Sequence, residues 1–114
     1  MWQVRIDALP GERAKREGHE QAGSRPFLVL SDDGFNQSSG AFIGVPVTSV
    51  EKPKFNAFRP RIAAGEGGLD VVSWAQTDQI LMLDEGRLLY KRGRVGIRVI
   101  AEVLDRLKIL LHIP

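Results

Sequence analysis

Residues 25–49 read RPFLVLSDDGFNQSSGAFIGVPVTS, and this stretch decides the fold. Two apolar runs of strand length, PFLVL at 26–30 and AFIGVPVT at 41–48, flank a small-residue and polar segment. A short continuous apolar run bounded by turn residues reads as a buried strand. Pro26 suits the first position of its strand, and Pro46 places the second run at an edge or a bulge, because proline brings no N–H to a ladder. Between them, residues 31–40 predict a turn or one short helical turn, with Ser31, Asp32 or Asp33 as its cap.

Working outward, Trp2, Val4 and Ile6 alternate with Gln3, Arg5 and Asp7, the period of a half-buried strand. Residues 8–25 then form a long polar loop with Pro10, Gly11, Gly18 and Gly23; loops of that length in small domains are usually functional or mobile. On the other side, residues 50–57 read as a loop and Phe58 to Ile62 as a short strand. GEGG at 65–68 is a turn. Val71 to Gln76, Ile80 to Leu83 and Leu88 to Tyr90 follow as short strands. The period then changes. Ile97, Ile100, Leu104, Leu107 and Leu111 recur at helical spacing, widened by Val99, Val103 and Leu110, with Glu102 and Arg106 as an i, i+4 pair. Five to seven short strands and a terminal helix make an α+β domain built on a small curled antiparallel sheet or barrel, one domain over residues 1–114. The apolar stripe is wider than one packing partner needs, so part of it is expected to face a second subunit.

Composition sets bounds on function. The 114 residues are 43% hydrophobic and 26% charged, with a net charge of +2, which fits an ordinary globular chain. No apolar run approaches the roughly 18 residues of a spanning helix, and MWQVRID lacks the pattern of a secretory signal. No membrane association and a cytoplasmic location are expected. Cysteine is absent, which excludes disulfides, thiolate metal sites and cysteine nucleophiles. His19 and His112 lie at opposite ends with no ligand spacing around them, so neither metal nor other cofactor is expected. Two basic groups stand out, Lys52, Lys54, Arg59 and Arg61, then Arg87, Lys91, Arg92, Arg94 and Arg98. Such groups can follow a phosphate backbone or simply keep a surface solvated.

Three segments could carry chemistry. HEQAGSRP at 19–26 gathers an imidazole, a carboxylate, an amide and a guanidinium at the mouth of a strand, where catalytic groups often sit; Arg25 could equally be a plain surface cation. In VPVTSVEKPK at 45–54, the hydroxyls of Thr48 and Ser49 could bond phosphate oxygens or the local backbone. In WAQTDQI at 74–80, Asp78 could close an Asx-turn, and Trp74 reads as a core or interface side chain before a base platform. The glycines of GEGG fit no phosphate-binding loop, and no nucleophile elbow is present.

Taken in order, these pieces resemble the MazF/PemK family of toxin ribonucleases along nearly the whole chain. The residues that carry the resemblance are Trp2, then Gly18, Glu20-Gln21 and Gly23, then Arg25-Pro26 with FLVLS and Phe35-Asn36. Pro46-Val47-Thr48-Ser49, Gly67-Gly68, Asp78-Gln79, Asp84, Arg87-Leu88 and the terminal helix complete it. The resemblance implies an SH3-like barrel with a C-terminal helix, a two-fold homodimer, and single-stranded RNA in a basic groove. It also implies an antitoxin whose acidic tail fills that groove, with DNA reached only through the antitoxin complex. Cleavage would use the RNA's own 2′-hydroxyl, leaving a 2′,3′-cyclic phosphate and a 5′-hydroxyl without metal. By the same resemblance Arg25, Thr48, His19 and Asp78 are the catalytic residues, and Glu20, Gln21, Ser49, Lys52 and Gln79 contact RNA. Two departures stand out: the insert ERAKRE at 12–17, and Gln76 where some family members have arginine. A gyrase-poisoning toxin of the CcdB type and a silent RNA- or protein-binding barrel are the competing expectations.

Overall fold

The computed structural model describes residues 1–6 and 23–114. Seven strands and two helices follow one another: β1 (Trp2–Arg5), β2 (Ser24–Val29), α1 (Asp33–Ser39), β3 (Ala41–Thr48), β4 (Arg61–Ile62), β5 (Ser73–Ala75), β6 (Leu81–Asp84), β7 (Leu88–Lys91) and α2 (Ile97–Leu110). Short 3-10 segments at Pro53–Phe58, Glu66–Gly68, Thr77–Gln79 and Glu85–Arg87 join them. The strands pair antiparallel in the order β4-β5-β3-β2-β1-β7, with β6 also on β3.

The two runs that decided the reading are the centre of this sheet. β2 and β3 pair with Phe27 opposite Pro46 and Val29 opposite Gly44. The link between them is α1, longer than the single turn expected. Asp32 caps it by accepting the Phe35 N–H, and Gly40 ends it at φ 70°, a left-handed conformation that glycine adopts without a Cβ penalty. β2 begins at Ser24, not at Pro26, so Ser24 and Arg25 belong to the strand where a loop was expected. Pro26 is tolerated inside it because the ladder to β3 starts one residue later, at Phe27.

β3 explains the shape of the sheet. One of its edges carries β2; Ala41 to Gly44 pair with β6, and Val47 and Thr48 pair with β5. Pro46 lies at the handover, where β6 has ended and the Pro46 carbonyl accepts the Gln76 N–H at 2.8 Å. A strand that splits its pairing in this way bends the sheet without closing it. The barrel expected from sequence is therefore an open, curled sheet whose ends among the described residues are β4 and β7. The α+β class and the terminal helix stand as expected. Gly44 sits at the tightest crossing: a Cβ there would lie 2.1 Å from the Leu28 carbonyl oxygen.

Alternation along the strands sorts the apolar side chains onto two faces. Val4, Ile6, Phe27 and Phe42 form one cluster, with the Phe27 and Phe42 rings edge to face at 5.5 Å. Leu28, Val45, Val47, Ile62 and Ala75 form the other, covered by Val99, Val103 and Leu107 of α2. Fully burying a valine, leucine, isoleucine or phenylalanine of these clusters stabilises by about 1.5–3 kcal/mol. The helix face in the core is thus centred on Val99, Val103 and Leu107. Of the stripe first expected, Ile97, Leu104 and Leu111 remain exposed, Ile97 at 87%. The expected Glu102–Arg106 pair is replaced by Arg98–Glu102 at 2.8 Å, while Arg106 donates to the Ala57 carbonyl at 3.0 Å. Among the described residues no helix is long and apolar enough to cross a membrane.

Candidate nucleic-acid interface

Strand register builds the site. Arg61 pairs with Trp74, and Trp74 with Thr48. The β2–β3 register, carried two residues beyond Phe27 and Pro46, sets Arg25 across from Thr48, and Arg25 itself pairs with Val4. Residues opposite one another in an antiparallel sheet share a face. Arg61, Trp74, Thr48 and Arg25 therefore form one row across four strands, on the face that carries Phe27 and Val4. It sets two guanidinium groups on either side of an indole and a hydroxyl, the hydroxyl belonging to Thr48, which is itself buried at 6% exposure.

The row is held from behind by residues 76–79. Gln76, only 4% exposed, is fixed by its N–H to Pro46 and accepts from Arg25 Nη1 at 3.2 Å through its side-chain oxygen. Its amide is neutral, so it orients the guanidinium without cancelling the charge. Thr48 Oγ1 accepts the Val50 N–H at 3.1 Å, which closes the strand end; its own O–H proton can still be donated.

Asp78 does not make the Asx-turn weighed from sequence. Both carboxylate oxygens receive Arg59, Oδ1 from Nε at 2.7 Å and Oδ2 from Nη2 at 2.8 Å. Burial pushes this carboxyl up, but hydrogen bonding and charge from Arg59 outweigh it and hold the pKa below its ordinary 3.8. Arg59 also lies over the Phe55 ring at 4.3 Å. The pair therefore pins the Pro53–Phe58 turn to the Thr77–Gln79 turn.

The expected site residues divide by place. Arg25 and Thr48 come together on the row. Asp78 stands behind it with Gln79, whose N–H bonds the Gln76 carbonyl at 2.8 Å. Lys52 is exposed at the entry to the Pro53–Phe58 turn. Ser49, one residue beyond Thr48, turns to the opposite face and lines a cavity there. His19, Glu20 and Gln21 lie outside the described residues. Among the described residues no group of three histidines or carboxylates is placed to hold a metal.

Two corrections concern the basic groups. Arg59 is buried against Asp78, so the first group is not one surface patch; Lys52, Lys54 and Arg61 remain exposed. The second group is dispersed. Arg87 bonds the Arg5 carbonyl, Arg92 is packed against Gln3 and Gly68, and Arg98 pairs with Glu102. Sequence reasoning missed Arg61 and Trp74 as neighbours of Thr48, because their placement depends on a two-residue strand. It also missed Gln76 as a support for Arg25.

Comparison with known proteins agrees with this architecture. The family described as PemK-like, MazF-like toxin of type II toxin-antitoxin system matches residues 5–111. The chain is 32% identical over 118 residues to endoribonuclease MazF9 of Mycobacterium tuberculosis, covering 99% of this chain and 93% of that protein. The crystal structure of MazF from Deinococcus radiodurans superposes with a TM-score of 0.73 at 31% identity, covering 98% of this chain and 94% of that one. MazF in the MazE-MazF crystal structure from the same organism gives a TM-score of 0.70 at 31% identity, covering 81% and 85%.

Proposed function

Because the chain belongs to the PemK-like, MazF-like toxins of type II toxin-antitoxin systems, we propose that it is an endoribonuclease cutting single-stranded RNA and thereby arresting growth. The observation that carries the reading is the row of Arg25, Thr48, Trp74 and Arg61, with Gln76 buried behind Arg25. It offers charge and hydrogen-bond donors for phosphoryl oxygens beside an aromatic ring on which an unpaired base can stack. The identity with an endoribonuclease across nearly the full chain supports it.

The 2′-hydroxyl of the substrate attacks the adjacent phosphorus. A base takes its proton, the O2′–P bond forms, the P–O5′ bond breaks, and the leaving 5′-oxygen receives a proton. The products are a 2′,3′-cyclic phosphate and a 5′-hydroxyl end. DNA lacks the nucleophile and is not cut. Arg25 faces the two charged oxygens of the pentavalent phosphorane, and Thr48 donates its hydroxyl proton to one of them. His19 is the proposed base, as the imidazole nearest the Arg25 strand in sequence. Asp78 acts through Arg59, holding the turn that carries Gln76. Glu20, Gln21, Ser49, Lys52 and Gln79 are the proposed RNA contacts, and no resident metal or cofactor is part of the scheme.

The proposed assembly is a homodimer, supported by the exposed line of Ile97 and Leu104 on α2 and Leu111 just past its end. The proposed regulator is an antitoxin with an acidic tail, complementary to the guanidiniums of the row; the Deinococcus relative's complex with MazE supports a partner of this kind. DNA is engaged only through that complex, and the place of action is the cytoplasm.

Purified protein incubated with a long single-stranded RNA in excess EDTA, followed by end-group analysis, tests the activity. Discrete cuts with cyclic-phosphate ends, lost in Arg25→Ala, are expected. RNA left intact by the wild type overturns the proposal.

A further inference from the structure

A cavity of about 290 Å3 opens on the face opposite the Arg25–Thr48 row. Its rim starts one residue from each member of that pair, at Pro26 and Ser49, and it reaches Gln3, Ser73, Tyr90 and Arg92. The volume falls at the small end of ligand sites, roughly 300–1,000 Å3, and suits a single nucleoside better than a stretch of chain.

Its chemistry is specific. Arg92 is packed into the wall, donating to Gln3 Oε1 at 2.9 Å, Tyr90 Oη at 3.3 Å and the Gly68 carbonyl at 3.0 Å. Its Nε is the one buried side-chain donor without an acceptor among the described residues. Asp70, almost fully exposed, stands 3.7 Å from Arg92 at the cavity's edge, so a carboxylate as well as a guanidinium borders the space. That balance disfavours a phosphate and suits a neutral group rich in donors and acceptors. The Tyr90 ring, about half exposed at 48%, supplies a stacking wall, and the Ser49 and Ser73 hydroxyls can each give or take a hydrogen bond.

We infer that this cavity receives one unstacked base of the RNA strand, next to the scissile phosphate, and sets the base preference at that position. The inference rests on the ribonuclease reading above. Pro26 and Ser49, each next in the chain to Arg25 and Thr48, line the cavity that Tyr90 also lines, so a strand whose phosphate lies on that pair runs beside the cavity's rim. Ser49 then meets RNA through its base, on the other side of the sheet from the cleaved bond.

The test is the cleavage profile on a single-stranded RNA pool randomised around the cut, read for wild type, Tyr90→Ala and Tyr90→Phe. Loss of one stacking contact corresponds to about tenfold or more. Wild type should show a preference of that order at one position flanking the cut. Tyr90→Ala should flatten that position alone, and Tyr90→Phe, which keeps the ring, should retain it. A uniform fall at all sequences, or an unchanged profile in Tyr90→Ala, overturns the inference and leaves the ribonuclease reading standing. A wild type that cuts nothing overturns the ribonuclease reading, and this inference with it.

Discussion

Arg25 donates to the side-chain oxygen of Gln76 across 3.2 Å, and Gln76 is in turn bonded through its backbone to Pro46. Residue 76, a glutamine in this chain, thus holds Arg25 in place. One such bond contributes about 0.5–1.5 kcal/mol net, so Gln76→Ala should lower kcat by roughly two- to tenfold with little change in KM. Gln76→Glu should cost more, because a carboxylate there cancels the charge the phosphorane needs. Steady-state cleavage of a short RNA, with thermal melts as the folding control, reads both variants. Activity unchanged in Gln76→Glu would remove Arg25 from its proposed role.

Thr48 separates shape from chemistry. Thr48→Val keeps the branched side chain beside Trp74 but removes the hydroxyl, and cleavage should fall about 100-fold, the scale of one lost transition-state donor. Thr48→Ser should retain most of the rate. Equal loss in both would assign Thr48 to packing.

The Arg59–Asp78 pair ties two turns together in a mostly buried setting, with Arg59 only 5% exposed. Removing one member leaves the other unpaired, so Asp78→Ala should destabilise by roughly 3–5 kcal/mol. The pH dependence has a definite sign. The folded-state pKa of Asp78 lies below its ordinary 3.8, so its contribution is full above that value and is lost as pH falls through the lower folded one. Urea unfolding between pH 6 and pH 2 should therefore show a steeper acid-side loss in wild type than in Asp78→Asn.

Gly44 offers a purely steric test. An added methyl would sit 2.1 Å from the Leu28 carbonyl and 2.7 Å from the Phe27 ring, so Gly44→Ala must move backbone. The expected loss is about 1–3 kcal/mol, the range for overpacking, read as a lower denaturant midpoint. A neutral substitution would mean that β2 and β3 are less closely apposed.

The exposed line of Ile97 and Leu104 on α2, continued by Leu111 at its end, predicts that Leu104→Asp weakens self-association while leaving the core residues Val99, Val103 and Leu107 undisturbed. Sedimentation at micromolar concentration should then show a dimer for wild type and a larger monomer fraction for the variant. A monomeric wild type would refute the assembly.

Much of this was legible in the chain. The runs at 26–30 and 41–48 became β2 and β3 because continuous apolar stretches of that length have nowhere to go but a buried sheet. Asp32 was one of three cap candidates, with Ser31 and Asp33, and the helix at the end declared its period. What failed was partnership. The stripe on α2 was centred one position away from Val99 and Val103, since a wide apolar arc does not state which part meets the sheet. Arg59 looked like one more surface cation, because nothing local says that Asp78, far along the chain, will bury it. Trp74 and Arg61 joined Thr48 only through ladders of two pairs each, and pairings so short leave no periodic trace. Arg25 and Thr48 were named through family resemblance; their common face follows from register.

The divided edge of β3 also has a consequence for how firmly the row is held. Arg25 rides on β2, inside a ladder continuous with β1 and β7, whereas Trp74 and Arg61 hang on β5 and β4, joined to β3 by the ladder pairs at Val47 and Thr48 and by the Gln76–Pro46 bond just beyond them. Short ladders open first in native-state exchange, so the two ends of one binding row belong to units of unequal stability. An RNA strand lying from Arg25 to Arg61 would bridge them, and its binding would register most strongly as slowed amide exchange at β4 and β5 rather than on the strand that carries Arg25.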